Sequence, residues 1–595
     1  MAQSAIPKST SNYKPSSRLA QLFTYLRPHW QQVCLGLFAL LIVNSLGIYI
    51  PLLIRAGIDT LQHNPSQTEI YSYMYRILGL ATLMWVVRLT CRMALFGVGR
   101  KVEYELKQRL FEHLLTLEPA YFAQTSIGDV ISRATSDINN IRRLVGFAML
   151  SSTNIVLAYS LTLPTMLWLD ARLSLMAIAL YPLMPLLTRL RGRVLKAKQR
   201  RLQEQLAGLS ELIQEDLSGI SLLKIYVQEA NERRAFRQQN ADLVAAKLDL
   251  SRTRTVLFSF VQGIASLSLL VLLGVGSQQI LNGSISVGDF LALLLYVERL
   301  AGPTALLGIM ITTLQRGEVS IERVEAILMA QPQVYDRPEA AYLTPRQVRG
   351  LIEARGLTYR YPEAKDLALH DVHFRIEAGE TVAIVGPIGS GKSTLANALP
   401  HLLPLEPGQL FLDGLDITTI GLGSLRRAIA YVPQDSFLFS DTIENNIRYG
   451  EPSRDRFEVE LAAKDAQLQP EILNFPAQYD TLVGERGITL SGGQRQRTAL
   501  ARALIVEAPV LILDDALSSV DNQTATAILQ SLTASQQRKT VIFIAHQLSA
   551  AAIADRILVM ERGQLVQSGQ HQTLLQQDGL YRSLWAHQQL TAMLN

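Results

Sequence analysis

The stretch ETVAIVGPIGSGKSTLANAL, residues 380–399, decides how the second half of this 595-residue chain folds. The apolar run Val382–Val385 ends at Gly386, and after four intervening residues Gly391-Lys392-Ser393 opens a segment of helical pattern. That spacing is a phosphate-binding loop set between a buried strand and a helix. Glycines such as Gly386, Gly389 and Gly391 let backbone N–H groups turn inward around phosphate oxygens, and the following helix presents its positive N-terminus. Lys392 supplies a cation for the β- and γ-phosphates, and Ser393 offers a hydroxyl to Mg2+. Ser390 and Thr394 complete the nucleotide-binding set.

Working outward, short β-type runs alternate with helical patterns: LIEARGLTYRY, GQLFLDG, IAYVPQ, PVLILDD and TVIFIAH. This alternation predicts an α/β nucleotide-binding domain over 349–595 with a largely parallel sheet. The Pro-rich, aperiodic stretch 331–348 before it reads as a linker.

Residues 1–330 have another character. The chain is 48% hydrophobic, too long for one core, and carries a formal charge of +5. Its positive charges are not gathered into one basic domain, which argues against a nucleic-acid partner. Apolar runs near the roughly 20 residues a spanning helix needs fall at 31–54, 74–98, 145–168, 171–190, 255–281 and 287–313. A run such as FSFVQGIASLSLLVLLGVGSQQIL has no charged face for water, so these segments predict an all-α, six-helix transmembrane domain in a lipid bilayer. The loops around LDARL (169–173) and LNGSISVG (281–288) are short and nearly free of positive charge, whereas the segments between spans two and three and between four and five are long and rich in Arg and Lys. The positive-inside rule puts those long segments and both termini in the cytoplasm; the second domain is expected there too, and the spans in the plasma (inner) membrane. Leu19, Leu22, Phe23 and Leu26 recur at helical spacing, as in an amphipathic helix on the membrane face. Cys34 and Cys91 both fall in spans and suggest neither a disulfide framework nor a metal cluster.

A second motif names the family. LSGGQRQRTALARAL begins at Leu490, and Ser491, Gly492, Gly493 and Gln494 form an anion-friendly turn opening a helix. With the phosphate loop about a hundred residues upstream and LILDD shortly downstream, the whole chain resembles a half-transporter of the ATP-binding-cassette (ABC) exporter type. The resemblance implies ATP and Mg2+ as cofactors. It puts Tyr361 where an aromatic stacks on adenine, Gln434 where a glutamine senses Mg2+ and water, Asp514 at the metal, and His546 at the γ-phosphate. It also makes TLVGERG (481–487), 118–146 and 214–232 the segments that communicate between membrane domain and cassette, with Tyr121 and Phe122 as candidate apolar anchors. In this family two cassettes close head to tail, so a chain with one cassette pairs with a second half-transporter.

One position departs from the pattern. Asp515 stands where most hydrolytic cassettes carry glutamate, and Gln547 replaces the arginine common after the histidine. Removing a methylene retracts the carboxylate by roughly 1.3 Å, and a misplacement of about 1 Å at reacting atoms can slow a reaction on the order of a hundredfold. The site is expected to bind ATP and hydrolyse it slowly. Chains with such an aspartate and an intact Ser-Gly-Gly segment often form heterodimers whose partner supplies the glutamate; a homodimer with two slow sites is the alternative.

The spans also carry charges. Arg88 and Arg92 lie four apart in span two, and Glu298-Arg299 lies inside span six. Intramembrane charges commonly mark a transport path, and Glu298 is expected to pair with Arg88 or Arg92. Two function classes follow: an ATP-driven exporter of an amphiphilic substrate (drug-like, lipid or peptide), or a regulatory or channel-associated cassette protein. The spans exclude a soluble cassette ATPase.

Overall fold

Six long apolar helical stretches make up most of the first half of the computed structural model, which describes residues 18–62, 66–362, 364–484, 487–520, 522–534 and 539–594. An N-terminal helix α1 (Arg18–Leu26) leads into α2 (Trp30–Leu61) and α3 (Gln67–Leu114). A short helix α4 (Pro119–Gln124) precedes the third stretch, α5 (Ile127–Leu169), which contains π-type turns at Arg133–Asp137 and Leu144–Ala148. The fourth, α6 (Ala171–Ser218), is interrupted around Pro182, where the ring removes a helical N–H. A short α7 (Ile220–Ile225) then precedes α8 (Glu229–Leu281) and α9 (Val287–Leu328).

All six helices are long and apolar enough to cross a membrane. Several run far beyond a bilayer's thickness: the 53 residues of α8 extend about 80 Å at 1.5 Å per residue. The short loops are capped as their sequences dictate. Asp170 accepts a hydrogen bond from the Leu173 N–H at 2.7 Å, and Ser286 accepts one from the Asp289 N–H at 2.9 Å. Asp59 joins two helix ends by accepting from the Ser286 hydroxyl and the Gly288 N–H, both at 2.9 Å, while Arg55 pairs with Asp289 at 2.7 Å. At the other end of the bundle, Arg323 bridges Asp129 (2.6 Å) and the buried Asp137 (3.0 Å), which ties α9 to α5. In α1, Leu22 and Leu26 pack on the core, Tyr25 is buried and hydrogen-bonds Glu325, and Phe23 is exposed. Leu19 lies outside the residues whose side chains are described.

The second half is α/β. A six-stranded sheet has the order β10 (Gln564–Gly569), β9 (Arg556–Glu561), β3 (Thr381–Val385), β8 (Thr540–Ile544), β7 (Val510–Asp514), β6 (Ile429–Val432). Every pairing is parallel except that of the edge strand β10. β3, β7 and β8 are buried at every position, as expected for strands covered on both faces. A second, antiparallel sheet contains β2 (Leu369–Ile376), β1 (Ile352–Tyr359), β4 (Leu410–Leu412) and β5 (Leu415–Asp416). The stretch 331–348 is tied to this unit: the Ala341 N–H donates to Thr419 O at 2.8 Å, and Asp336 accepts from the Leu422 N–H at 2.6 Å. Residues Thr116–Thr125, which include α4, also group with this unit, and the Gln333 N–H donates to Glu118 at 3.2 Å.

Candidate functional site: the nucleotide half-sites

Parallel register brings the chemistry to one edge of the sheet. Asp514 is level with Ile544, Ile384 with Ile544, and Val432 with Leu513. The residues leaving β3, β6, β7 and β8 therefore emerge together at the carboxyl ends of the strands, where open α/β sheets bind ligands. Gly386, Gln434, Asp515 and His546 all lie within two residues of those ends.

The phosphate loop runs from β3 into α10 (Lys392–Ala398). Glycine is required where the loop threads between neighbours: a Cβ on Gly386 would sit 2.1 Å from Met560 O, and one on Gly391, at φ +95°, 2.5 Å from Ala368 O. Lys392 is 6% exposed, and its ammonium donates to the carbonyls of Gly386 (2.9 Å) and Pro387 (2.8 Å) and approaches Ser390 Oγ at 3.4 Å. Burial lowers its pKa below the ordinary lysine range, opposed by Asp514 and Asp515. Ser393 Oγ donates to Asp514 Oδ1 at 3.0 Å. The Tyr431 hydroxyl lies 3.3 Å from Asp514 Oδ2 and 2.9 Å from Asn397 Oδ1. Burial raises the Asp514 carboxyl above the usual range, against hydrogen bonds from Ser393 and Tyr431. The Tyr361 hydroxyl is 3.3 Å from Thr394 Oγ1, and its partly exposed ring stands edge-on to Tyr359 at 5.0 Å.

Asp515 leaves β7 in the left-handed region, at φ +51°. Its carboxylate is 3.9 Å from His546 Nε2. Gln434 is exposed and joins no hydrogen bond among the described residues. The sequence reading missed Tyr431, Asn397 and Gln588. Gln588, on the C-terminal helix Leu580–Leu594, accepts from the Leu548 N–H at 2.8 Å and steadies the loop of His546. Nothing local marks such a residue, because its role comes from a contact across 40 positions.

The Ser-Gly-Gly segment opens α11 (Gly492–Leu504) through a capping box. Ser491 Oγ accepts from the Gln494 N–H at 3.2 Å, and Gln494 Oε1 accepts from the Ser491 N–H at 2.9 Å. Gln494 also donates to Glu471 at 2.9 Å. A Cβ on Gly493 would lie 2.9 Å from Ser519 O, so the turn after β7 rests against the start of this helix. Gln496, another residue the sequence did not single out, fastens that turn. Buried, it accepts from the Ser519 N–H at 2.8 Å and donates to Ser518 Oγ at 3.0 Å and Asp515 O at 3.4 Å. Of TLVGERG, residues 485 and 486 lie outside the described residues.

Comparison with known proteins places the two halves of the chain in known families. Residues 33–304 match the ABC transporter transmembrane region and residues 369–518 match the ABC transporter domain. The multidrug resistance-like ATP-binding protein MdlA of Escherichia coli is 31% identical over 578 residues, 97% of each chain. The chain belongs to the ABC exporters. An ATP-dependent lipid A-core flippase of Syntrophus aciditrophicus is 31% identical over 569 residues, covering 95% of this exporter and 93% of the flippase. The solved structure of a bacterial Atm1-family ABC exporter with ATP bound superposes with a TM-score of 0.74 at 27% identity, covering 95% of this chain and 98% of that one. The exporter is an integral, multi-pass membrane protein with an ATP-binding cassette.

In the membrane unit of the exporter the anticipated ion pair is not formed. Glu298 is exposed and joins no salt bridge among the described residues, whereas Arg88, Arg92 and Arg299 line one cavity. Consecutive helical positions point about 100° apart, so when Arg299 faces the cavity Glu298 turns from it.

Proposed function

We propose that this chain is one half of an exporter that moves an amphiphilic compound outward across the plasma (inner) membrane, with its cassette in the cytoplasm. In this reading a second half-transporter supplies the glutamate that Asp515 replaces. One contrast carries it: the signature segment keeps its capping box, whereas the acid after the metal aspartate is one methylene short. ATP would lie with its adenine on Tyr361 and its phosphates in the loop 386–391, neutralised by Lys392. Ser393 and Asp514 present two hard oxygen ligands 3.0 Å apart, a donor set suited to Mg2+, and Gln434 would reach the same ion. The ion, when bound, neutralises charge on the phosphates.

The Asp515 carboxylate lies 3.9 Å from His546 Nε2. The side chain is one methylene shorter than a glutamate and reaches less far toward an attacking water, so this half-site is proposed to hold ATP and keep the dimer closed. Ser491, Gly492 and Gly493 would complete the partner's hydrolytic site. The exposed apolar cluster of α7 and the residues after it, Leu222, Ile225, Tyr226 and Val227, supports a second chain, because such a cytoplasmic patch calls for a cover. ATP binding shifts the transporter only by its differential affinity for the closed form, and hydrolysis at the competent site gives the cycle direction.

Retention of His546 beside Asp515 favours a second reading, a homodimer with two slow sites. ATP turnover by the purified chain alone separates the two. Slow turnover that rises when a glutamate-bearing partner is added supports the heteromer, and fast turnover without any partner overturns it. ATP-dependent uptake into inside-out vesicles distinguishes export from a purely regulatory cassette.

A further inference from the structure

Within the membrane unit, α2, α3, α5 and α9 line an open-sided cavity of about 460 Å³ whose wall includes Arg88, Arg92 and Arg299 with Asn44 and Asn154. No carboxylate is among its lining residues. Arg299 is partly buried there, while Arg88 and Arg92, one helical turn apart on α3, are exposed along the same wall, and a cluster of like charges within a membrane span favours a ligand of opposite charge.

The geometry holds one of the three in place. Arg299 Nη2 donates to Asn44 O at 3.1 Å and to Asn44 Oδ1 at 3.0 Å. Asn44 is itself fixed, because its amide donates to Leu40 O at 2.9 Å and to Asn154 Oδ1 at 3.1 Å. The guanidinium occupies the space beside Gly47, where an added Cβ would stand 1.3 Å from Arg299 Nη1. A glycine and two asparagines on neighbouring helices thus form a seat for a cation. Among the described residues the other two arginines have no protein acceptor of comparable strength. Arg88 reaches only the Met84 sulfur, at 3.7 Å, and Arg92 has no hydrogen bond or ion pair among the described residues.

We propose that this cavity binds the oxyanion head of the cargo, a phosphate or a group of like geometry, with Arg299 as the seated anchor and Arg88 and Arg92 closing on it. Guanidinium forks match such oxygens bidentately. The proposal rests on the export reading and narrows it: the transported amphiphile is an anion. The leucine, valine and alanine side chains on the rest of the wall, Leu40, Val43, Leu150 and Ala158 among them, suit the adjoining apolar part of such a molecule.

The test uses the full chain in phosphatidylcholine nanodiscs without nucleotide, so that binding is read independently of pumping. The probes are a short-chain fluorescent phosphatidic acid, a phosphatidylcholine with the same tails, and inorganic phosphate as competitor. The expected result is that phosphatidic acid binds at least about tenfold more tightly than its zwitterionic counterpart, and that Arg88→Ala, Arg92→Ala and Arg299→Ala each weaken it about tenfold. Gly47→Ala keeps all three charges while displacing the Arg299 head, and is expected to weaken binding several-fold. Displacement of the probe by millimolar phosphate assigns the site to a free oxyanion, and failure to displace it assigns the site to a lipid-like head; both support an oxyanion site. Equal binding of the two lipids, or arginine variants that bind phosphatidic acid like the unaltered chain while their cassettes still bind ATP, overturns the proposal. Lys392→Ala serves as the separate control: if vesicle uptake survives that change, the export reading fails whatever the cavity binds.

Discussion

The two edges of the cassette proposed to face nucleotide are built to different standards. At the signature edge, Ser491 and Gln494 satisfy each other's backbone donors and Glu471 holds Gln494 from outside. At the strand edge, Ser393, Asp514 and Tyr431 form a connected set and Lys392 is held by the loop carbonyls of Gly386 and Pro387, yet the residue after Asp514, Asp515, lies in the left-handed region with a side chain one methylene shorter than glutamate. In the proposed reading, one cassette therefore offers a complete surface to a partner and an incomplete one to its own nucleotide. The two edges are also joined, because Gln496 on the signature helix grips the turn that follows Asp515.

The largest expected effect attacks the incomplete edge. Asp515→Glu restores the missing reach and is expected to raise ATP turnover of the isolated chain by up to about a hundredfold. The left-handed backbone at this position opposes part of that gain, since it suits Asp better than Glu. A steady-state phosphate-release assay reads the change, and no rise means that side-chain length is not what limits the site. Lys392→Ala comes next. Losing a charged hydrogen bond of about 1.5–3 kcal/mol is expected to weaken ATP binding about 10- to 100-fold, read by titration with a fluorescent nucleotide.

A smaller change sharpens the contrast between edges. Ser491→Ala is expected to leave ATP affinity of the isolated chain unchanged while lowering turnover of the assembled transporter about tenfold. Melting must be followed in parallel, because loss of an N-cap alone removes about 1 kcal/mol of stability. Equal damage to the isolated chain's own nucleotide binding would place Ser491 in the wrong half-site. Gln496→Ala is expected to have the smallest effect, a few-fold loss of assembled turnover with nucleotide affinity retained. A Gln496→Glu variant that restores the acceptor for the Ser519 N–H but not the donor bonds separates the two functions of that side chain.

Much of this was legible in the sequence because the relevant patterns are local. The spacing of Gly386 to Ser393 implied strand, loop and helix together, and six apolar runs implied six spans. β2, β9 and β10 did not stand out, since β2 and β10 alternate with exposed polar residues and β10 sits at the sheet edge. Glu298 shows where local reading fails. Its charge marked the right part of span six, but which of two adjacent residues faces a cavity depends on helix rotation, and rotation is set by packing. Gly47 and Asn44 receive Arg299, and Glu298 turns away.

By itself the sequence determined the class of machine. Phosphate-loop chemistry needs a fixed spacing of glycine, lysine and hydroxyl, and a bilayer needs a fixed length of apolar helix; both constraints act along the chain and are readable there. Only the tertiary structure decided which side chains share a space: Tyr431 with Asp514, Gln496 with the turn after β7, three arginines with one cavity. Those groupings arise from strand register and helix packing, which bring together residues tens to hundreds of positions apart and leave no periodic trace in the chain.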